Sequence, residues 1–313
     1  MTVKIAFAGA GQVGASAALE AVNRELCNEI ILIDIIEGLP QGKALDMYES
    51  TPIKGVDVSV KGSNKWEDIR GSDIVVVTAG FPRKPGMSRL DLLKSNIDIV
   101  KPITQQVKQQ APESKLLIVT NPLDIMTYVA AKVTGFPRNR VFGMAGVLDT
   151  ARFRTFVAME LGVSVRDVQA ILMGGHGDSM VPLPRYSSVS GIPLTELMTE
   201  EQIGRIVKRT REGGGEIVQL LKTGSAYYAP GAAIVDMLEA MVRDKKRVLP
   251  ACAYLQGEYG YNDVCAGVPV LLGRDGVEKI LELRLTVEEK ELFKKSVDEL
   301  QSAITEIRTA NLL

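Results

Sequence analysis

Short apolar runs alternate with longer amphipathic stretches through the first half of the chain. Residues 3–8 read as a buried strand, 15–25 as an alanine-rich helix, and 29–34 as a second strand ending in an acid. The spacing then predicts a helix over 39–49, a strictly alternating strand over 56–60, and continuous apolar strands over 73–78 and 115–120, with a sixth over 141–144. Continuous apolar runs are what strands buried on both faces require. Strands alternating with helices imply an α/β fold with a parallel, doubly wound sheet, whose ligands bind beyond the carboxyl ends of the strands.

The second half is less regular. A helix starts near 148, and a strand over 168–173 leads into a glycine-rich turn around the only histidine, His176. Residues 200–222 have a helical pattern that contains Gly213-Gly214-Gly215. Each glycine costs a helix about 1 kcal/mol against alanine, so a break or unusually close packing is expected there. A loop over 223–228 precedes a helix that starts near Pro230 and ends in the basic run 243–247. Segments 268–273 and 281–285 are strand-like. Thr286 and Glu289 form a capping box for a last helix, with Leu292, Phe293, Val297, Leu300, Ile304 and Ile307 on a packing stripe.

Between the first strand and first helix lies Gly9-Ala10-Gly11-Gln12-Val13-Gly14. A G-x-G-x-x-G between strand and helix, with an acid about 20 residues on, is the dinucleotide-binding fingerprint. Gly9 makes the tight turn, Gly11 admits the pyrophosphate to the backbone, and Gly14 lets the helix pack on the strand. The helix N-terminus offers free N–H groups to the phosphates. Asp34 is placed to accept from the adenosine ribose hydroxyls. It would repel a 2′-phosphate, and Ile35 and Ile36 offer no cation to receive one, which selects NAD over NADP.

Composition narrows the class. The chain has 313 residues, 46% hydrophobic and 24% charged, with a net charge of −1. That balance disfavours nucleic acid or a membrane surface as a partner. Cys27, Cys252 and Cys265 show no paired or metal-type spacing, which suits a reducing compartment and no metal site. With no leader pattern and no run of about 18 apolar residues, the cytoplasm is the expected location.

Polar residues gather where strands end. The segment 79–89 carries Arg83, Lys84 and Arg89 with two prolines, a loop that closes over an anion or a solvated basic loop. Asn121 either caps the following helix or donates to a ligand. Asp149 and Arg152 share a helix face, as an ordinary ion pair or as a carboxylate that orients His176 beside an arginine that grips a carboxylate. His176 itself, among Gly174, Gly175 and Gly177, is a proton-transfer residue or a histidine in a turn.

Taken together, these motifs resemble the lactate/malate dehydrogenase family along nearly the whole chain, and most closely its malate dehydrogenases built like lactate dehydrogenase. The matching residues are Gly9 to Gly14, Asp34, Arg83 to Arg89, Thr120-Asn121-Pro122, Leu148 to Arg152 and Gly175 to Ser179. The resemblance implies a Rossmann NAD-binding domain over 1–145 and an α+β substrate domain over 146–313. It implies that His176 exchanges the proton, Asp149 orients it, Arg152 clamps the C1 carboxylate and Arg89 polarises the carbonyl. Asn121 would contact substrate and nicotinamide, and Asn96 and Val119 would join the cofactor contacts. Arg83 stands where lactate dehydrogenases carry a neutral glutamine, and Ala226 where they usually hold a threonine. Both imply a dicarboxylate, malate or oxaloacetate. The resemblance also implies a homo-oligomer, a homotetramer in preference to a dimer.

Other readings compete. A different 2-hydroxyacid dehydrogenase would share the scaffold. A non-catalytic NAD sensor would need the fingerprint but not His176 with Asp149. An NAD-dependent glycoside hydrolase would need a metal held by cysteine and histidine, and no cysteine lies near His176 in sequence.

Overall fold

The structure, a computed structural model, describes residues 2–81 and 89–313, with Arg89 described through its backbone alone. The first half runs β1 (Lys4–Ala8), α1 (Gln12–Asn23), β2 (Glu29–Ile33), α2 (Leu39–Lys54), β3 (Ser59–Ser63), β4 (Ile74–Val77), α3 (Arg89–Gln110), β5 (Lys115–Ile118), α4 (Leu123–Thr134) and β6 (Val141–Gly143). The six strands form a parallel sheet in the order β3-β2-β1-β4-β5-β6. The strand order reverses direction between β1 and β4, so the carboxyl ends of these two strands flank the crevice where such sheets bind ligands. Every residue of β4 is buried, as the unbroken apolar run requires.

The second half continues the sheet in the other sense. It contains α5 (Gly146–Leu161), β7 (Val168–Gln169), β8 (Leu172–Gly174), β9 (Met180–Pro182), β10 (Ser188–Val189), β11 (Ile192–Pro193) and α6 (Leu194–Leu197). Then come α7 (Glu200–Leu221), α8 (Tyr228–Val242), β12 (Arg247–Gln256), β13 (Asn262–Gly273), β14 (Gly276–Ile280) and α9 (Val287–Thr309). β12 joins β6 antiparallel through Cys252 opposite Gly143, and β13, β8 and β9 extend the sheet, all antiparallel. One apolar core spans both halves, from Phe7 and Val76 to Leu238, Val268 and Ile304. A second, smaller core gathers Phe153, Val157, Leu172, Val189 and Ile206 around the small sheet of β7, β10 and β11.

Several elements depart from the sequence reading. The strand expected over 56–60 forms over Ser59–Ser63, because its register is set by pairing with β2, Glu29 opposite Ser59. As an edge strand it tolerates Ser59 and Lys61. Helix α2 runs past 49 and through Pro52 to Lys54. Proline cannot donate to the Tyr48 carbonyl, and the Thr51 hydroxyl takes that place at 2.8 Å. The 168–173 strand is two: β7 joins the small sheet and β8 the large one. Segment 281–285 has no regular structure, and β14 lies just before it. Helix α8 ends where the basic run begins, with Arg243 as its C-cap, and the run then leaves the helix and reaches Arg247, which opens β12. That strand is hidden in the sequence by Pro250 and small residues, an unpromising pattern for an inner strand. In α9 the capping box forms as expected, but Leu292 is exposed while Phe293, Val297, Leu300, Ile304 and Ile307 are buried.

Helix α7 is unbroken across its three glycines. The alternative, close packing, holds at Gly213 against the Arg152 side chain, while Gly214 is in ordinary contact with the same side chain. A Cβ at Gly213 would lie 3.3 Å from Cδ of Arg152, and one at Gly214 3.5 Å from its Nη2.

Candidate active site

The glycine turn sits between β1 and α1 and is shaped by what surrounds it. Gly9 has φ +114°, and a Cβ there would lie 2.5 Å from the Ala79 nitrogen. A Cβ at Gly14 would meet the Gly9 carbonyl oxygen at 2.1 Å. Gly11 differs: a Cβ there would meet nothing within 4 Å. It is the N-cap of α1, with no side-chain cap and no acid in the first turn. The opening N–H groups of the helix, from Gln12 and Val13 onward, therefore face an open cradle suited to a pyrophosphate.

Asp34, just past β2, has both carboxylate oxygens on backbone donors. Oδ2 accepts from the Ala10 N–H at 2.8 Å and Oδ1 from the Ile36 N–H at 3.1 Å. Each oxygen keeps a lone pair for a ribose hydroxyl. Lys43, on α2, donates from Nζ to the Ala10 carbonyl at 2.8 Å. Lys43 thus joins the glycine turn from a helix, and nothing in its spacing marks it in the sequence.

The loops after β4 and β5 are tied together by Asn96 of α3. Its side chain is fully buried. Oδ1 accepts from the Phe81 N–H at 2.7 Å, while Nδ2 donates to the carbonyls of Phe81 (3.0 Å) and Asn121 (2.7 Å). Both amide hydrogens are thus taken by the protein, and what Asn96 places is backbone at the cofactor crevice. Val119 continues the β5 pairing, donating its N–H to the Val77 carbonyl at 2.9 Å. Asn121 is exposed; its Oδ1 accepts a long 3.3 Å bond from the Leu123 N–H, a loose cap for α4.

His176 follows β8 in a turn that uses Gly174 (φ +81°) and Gly177 (φ +101°). The turn is pinned from two helices. The Gly175 N–H donates to Ser296 Oγ of α9 at 2.7 Å, and the His176 N–H donates to Asp124 Oδ2 of α4 at 2.8 Å. Nδ1 of the imidazole lies 2.8 Å from Asp149 Oδ2 of α5. Asp149 is buried, and its other oxygen lies 3.4 Å from Arg152 Nη1. With Nδ1 held as the donor to a carboxylate, Nε2 is the nitrogen left to exchange a proton. Burial disfavours the imidazolium, but the charge and hydrogen bond of Asp149 and the charge of Asp124 outweigh it, against Arg152. The result is a histidine more basic than usual.

Arg152 is mostly buried, and its Nε has no hydrogen-bond partner among the described residues. The bare backbone at Gly213 and Gly214 gives its guanidinium room. The structure thus brings His176, Asp149 and Arg152 together. Arg154, by contrast, is spent on the carbonyls of Val168 and Val165. Ala226 lies half-buried in the link between α7 and α8. Arg83, Lys84 and the side chain of Arg89 lie outside the described residues. Asp124 was not anticipated; only its place in the first turn of a helix is visible in the sequence, and that is common for an acid.

The chain matches the lactate/malate dehydrogenase NAD binding domain over residues 3–143 and the alpha/beta C-terminal domain of the same family over residues 146–310. It is 57% identical to a malate dehydrogenase of Roseiflexus sp. (strain RS-1), covering 98% of this chain and 99% of that one. Among solved structures, the apo malate dehydrogenase of Picrophilus torridus superposes with a TM-score of 0.96 at 48% identity over the full length of both chains. A lactate dehydrogenase of Cryptosporidium parvum, in complex with lactic acid and nicotinamide adenine dinucleotide, does so at 0.93 and 44% identity over 96% of each chain. Both family domains are matched along nearly the whole chain, and fold and sequence agree with these relatives: the chain belongs to the lactate/malate dehydrogenase family.

Proposed function

We propose that the chain is an NAD-dependent malate dehydrogenase, interconverting (S)-malate and NAD with oxaloacetate, NADH and a proton. The observation that carries this reading is the His176–Asp149 pair beside Arg152, on a scaffold with an open glycine cradle. Bound NAD supplies the hydride acceptor for C2 of malate, and NADH the donor for oxaloacetate. The protein's own residues do the rest. His176 Nε2 takes the proton of the 2-hydroxyl during oxidation and returns it during reduction. Asp149 holds the tautomer and stabilises the imidazolium. Arg152 binds the C1 carboxylate in bidentate fashion. Asn121 donates to the substrate oxygen, and Arg89 polarises the carbonyl. Gly9, Gly11, Gln12, Val13, Gly14 and Asp34 hold the adenosine and pyrophosphate end, Asn96 and Val119 the crevice wall.

Arg83 sets substrate choice by pairing with the second carboxylate. The assay is NADH oxidation followed by absorbance, with oxaloacetate and separately with pyruvate. Fast oxidation with oxaloacetate alone supports the reading, and a preference for pyruvate overturns the substrate. Arg83→Gln strands that carboxylate, a loss of about 2–5 kcal/mol, so the oxaloacetate-to-pyruvate ratio of kcat/KM falls by roughly one to four orders of magnitude. An unchanged ratio removes Arg83 from specificity.

The same reading places the enzyme in the cytoplasm, in the tricarboxylic acid cycle and as a homotetramer. Three free, buried cysteines suit a reducing compartment. Exposed Leu45, Tyr48 and Ile53 on α2 and Leu220 and Leu221 on α7 suit association. Light scattering at micromolar concentration decides between tetramer, dimer and monomer.

A further inference from the structure

Asp124 is a carboxylate in an unusual place. It is buried to 4% exposure, at the start of α4 and behind the histidine turn. Oδ2 accepts the backbone N–H of His176 at 2.8 Å. Oδ1 is buried with no N–H or hydroxyl donor among the described residues, and the Cys252 thiol lies beside the carboxylate. Structure alone does not ask for a charge there. A buried carboxylate held by one backbone N–H and a weak thiol donor is costly, and an amide would accept the same N–H.

The charges around the ring suggest what it is for. Among the described residues, the charged groups around His176 are Asp149 and Arg152 from α5 and Asp124 from α4, with the thiols of Cys252 from β12 and Cys265 from β13 behind Asp124. Helix α9 contributes only the neutral Ser296, and Asp178 in the turn is exposed. With Asp149 and Asp124 ionised and Arg152 charged, this group of residues is neutral only when the imidazole carries a proton. We infer that Asp124 is a positioning residue of the reaction, a second carboxylate that anchors the His176 turn through its backbone and holds the imidazole in favour of its protonated form. Burial pushes the Asp124 carboxyl above its ordinary value and the Asp149 charge adds to the rise, while the His176 N–H, the Cys252 thiol and the His176 charge favour its ionised form without cancelling it. The inference rests on His176 as the proton-transfer residue.

The sign of the effect follows. A negative charge near an imidazole raises its pKa, by one unit or more at about 4–6 Å. Asp124→Asn keeps the shape and the acceptor but removes the charge, so it lowers the His176 pKa. Oxidation of malate, which needs the neutral base, then extends to lower pH. Reduction of oxaloacetate, which needs the imidazolium, fails at a lower pH than in the parent.

Since His176 is the only histidine, the test can read it directly. Full-length protein labelled with 13C-histidine gives one imidazole signal, whose titration is followed by NMR without any need for turnover. Failure of the dehydrogenase reading would show as absent activity in the parent, and failure of this inference as a titration that does not move. The expected result for Asp124→Asn is a His176 midpoint about one pH unit lower, an equal shift in kcat/KM for malate, and an NADH Kd within about twofold of the parent. Asp124→Glu returns the midpoint towards the parent. Coincident titrations for Asp124→Asn and the parent overturn the inference. If Asp124→Asn does not fold, Asp124→Ser serves instead: it removes the charge while its hydroxyl can still accept the His176 N–H. A lowered His176 midpoint supports the inference and an unmoved one overturns it.

Discussion

The glycine cradle and the histidine centre are both ligand sites, but they are built in opposite ways. The cradle is local: Gly9, Gly11, Gly14 and Asp34 lie within one strand–helix–strand unit, and backbone geometry fixes most of their roles. The centre is assembled from distant chain. Asp149 reaches His176 across 27 positions, Asp124 across 52 and Ser296 across 121 to Gly175. A site made of backbone is vulnerable to added atoms. A site made of converging side chains is vulnerable to lost ones.

The largest expected effect is therefore a loss at the centre. His176→Asn removes the only imidazole and lowers kcat by about 10²–10⁴-fold, the usual contribution of a positioned acid or base. Binding of NADH, followed by protein fluorescence, should stay within about twofold, because the cradle is untouched. Turnover that survives the substitution takes His176 out of the reaction. A parallel loss of NADH affinity means instead that the two sites are not separable.

Next comes an addition at the cradle. Gly14→Ala places a Cβ 2.1 Å from the Gly9 carbonyl oxygen and 2.7 Å from Thr78 Oγ1, so α1 must move off β1. Fold and cofactor binding both suffer, with a loss of about 1–3 kcal/mol, the usual cost of overpacking. Gly11→Ala meets no protein atom within 4 Å. It should leave the melting temperature near the parent value while weakening NADH binding, since the new methyl occupies space the pyrophosphate needs. If both alanines lower the melting temperature equally, the open space at Gly11 is not reserved for a ligand.

How much of this was legible in the sequence follows from the same contrast. The cradle, the parallel strands and Asp34 were readable because each depends on neighbours in the chain. Asp149, Arg152 and His176 were readable as residue types, but their convergence was not, since no pattern in α5 fixes where β8 will end. Asp124 and Lys43 were invisible because each lies on a helix with ordinary spacing and acquires its role only from what packs against it. β12 was missed for a related reason. Its Pro250 lies opposite Pro269 in the antiparallel pair, a local pattern that tertiary pairing overrides.

The glycine triplet of α7 gives the smallest effect and separates local propensity from site geometry within a single helix. Helix propensity alone says that replacing any of the three with alanine stabilises, by about 0.5–1 kcal/mol. Gly215 is exposed, with nothing within 4 Å of a new Cβ, so Gly215→Ala should raise stability by that amount and leave kinetics alone. Gly213 is buried against Arg152, and its Cβ would come within 3.3 Å of Cδ. At Gly213 the gain in propensity is offset by crowding of the arginine assigned to the substrate carboxylate. Gly213→Ala should therefore raise KM for oxaloacetate several-fold, with little change in NADH affinity. Denaturant midpoints and KM values for the two variants decide the matter. A Gly213→Ala protein that is stabilised like Gly215→Ala, with an unchanged KM, would mean that Arg152 has room to spare and that the glycines are not there for its sake.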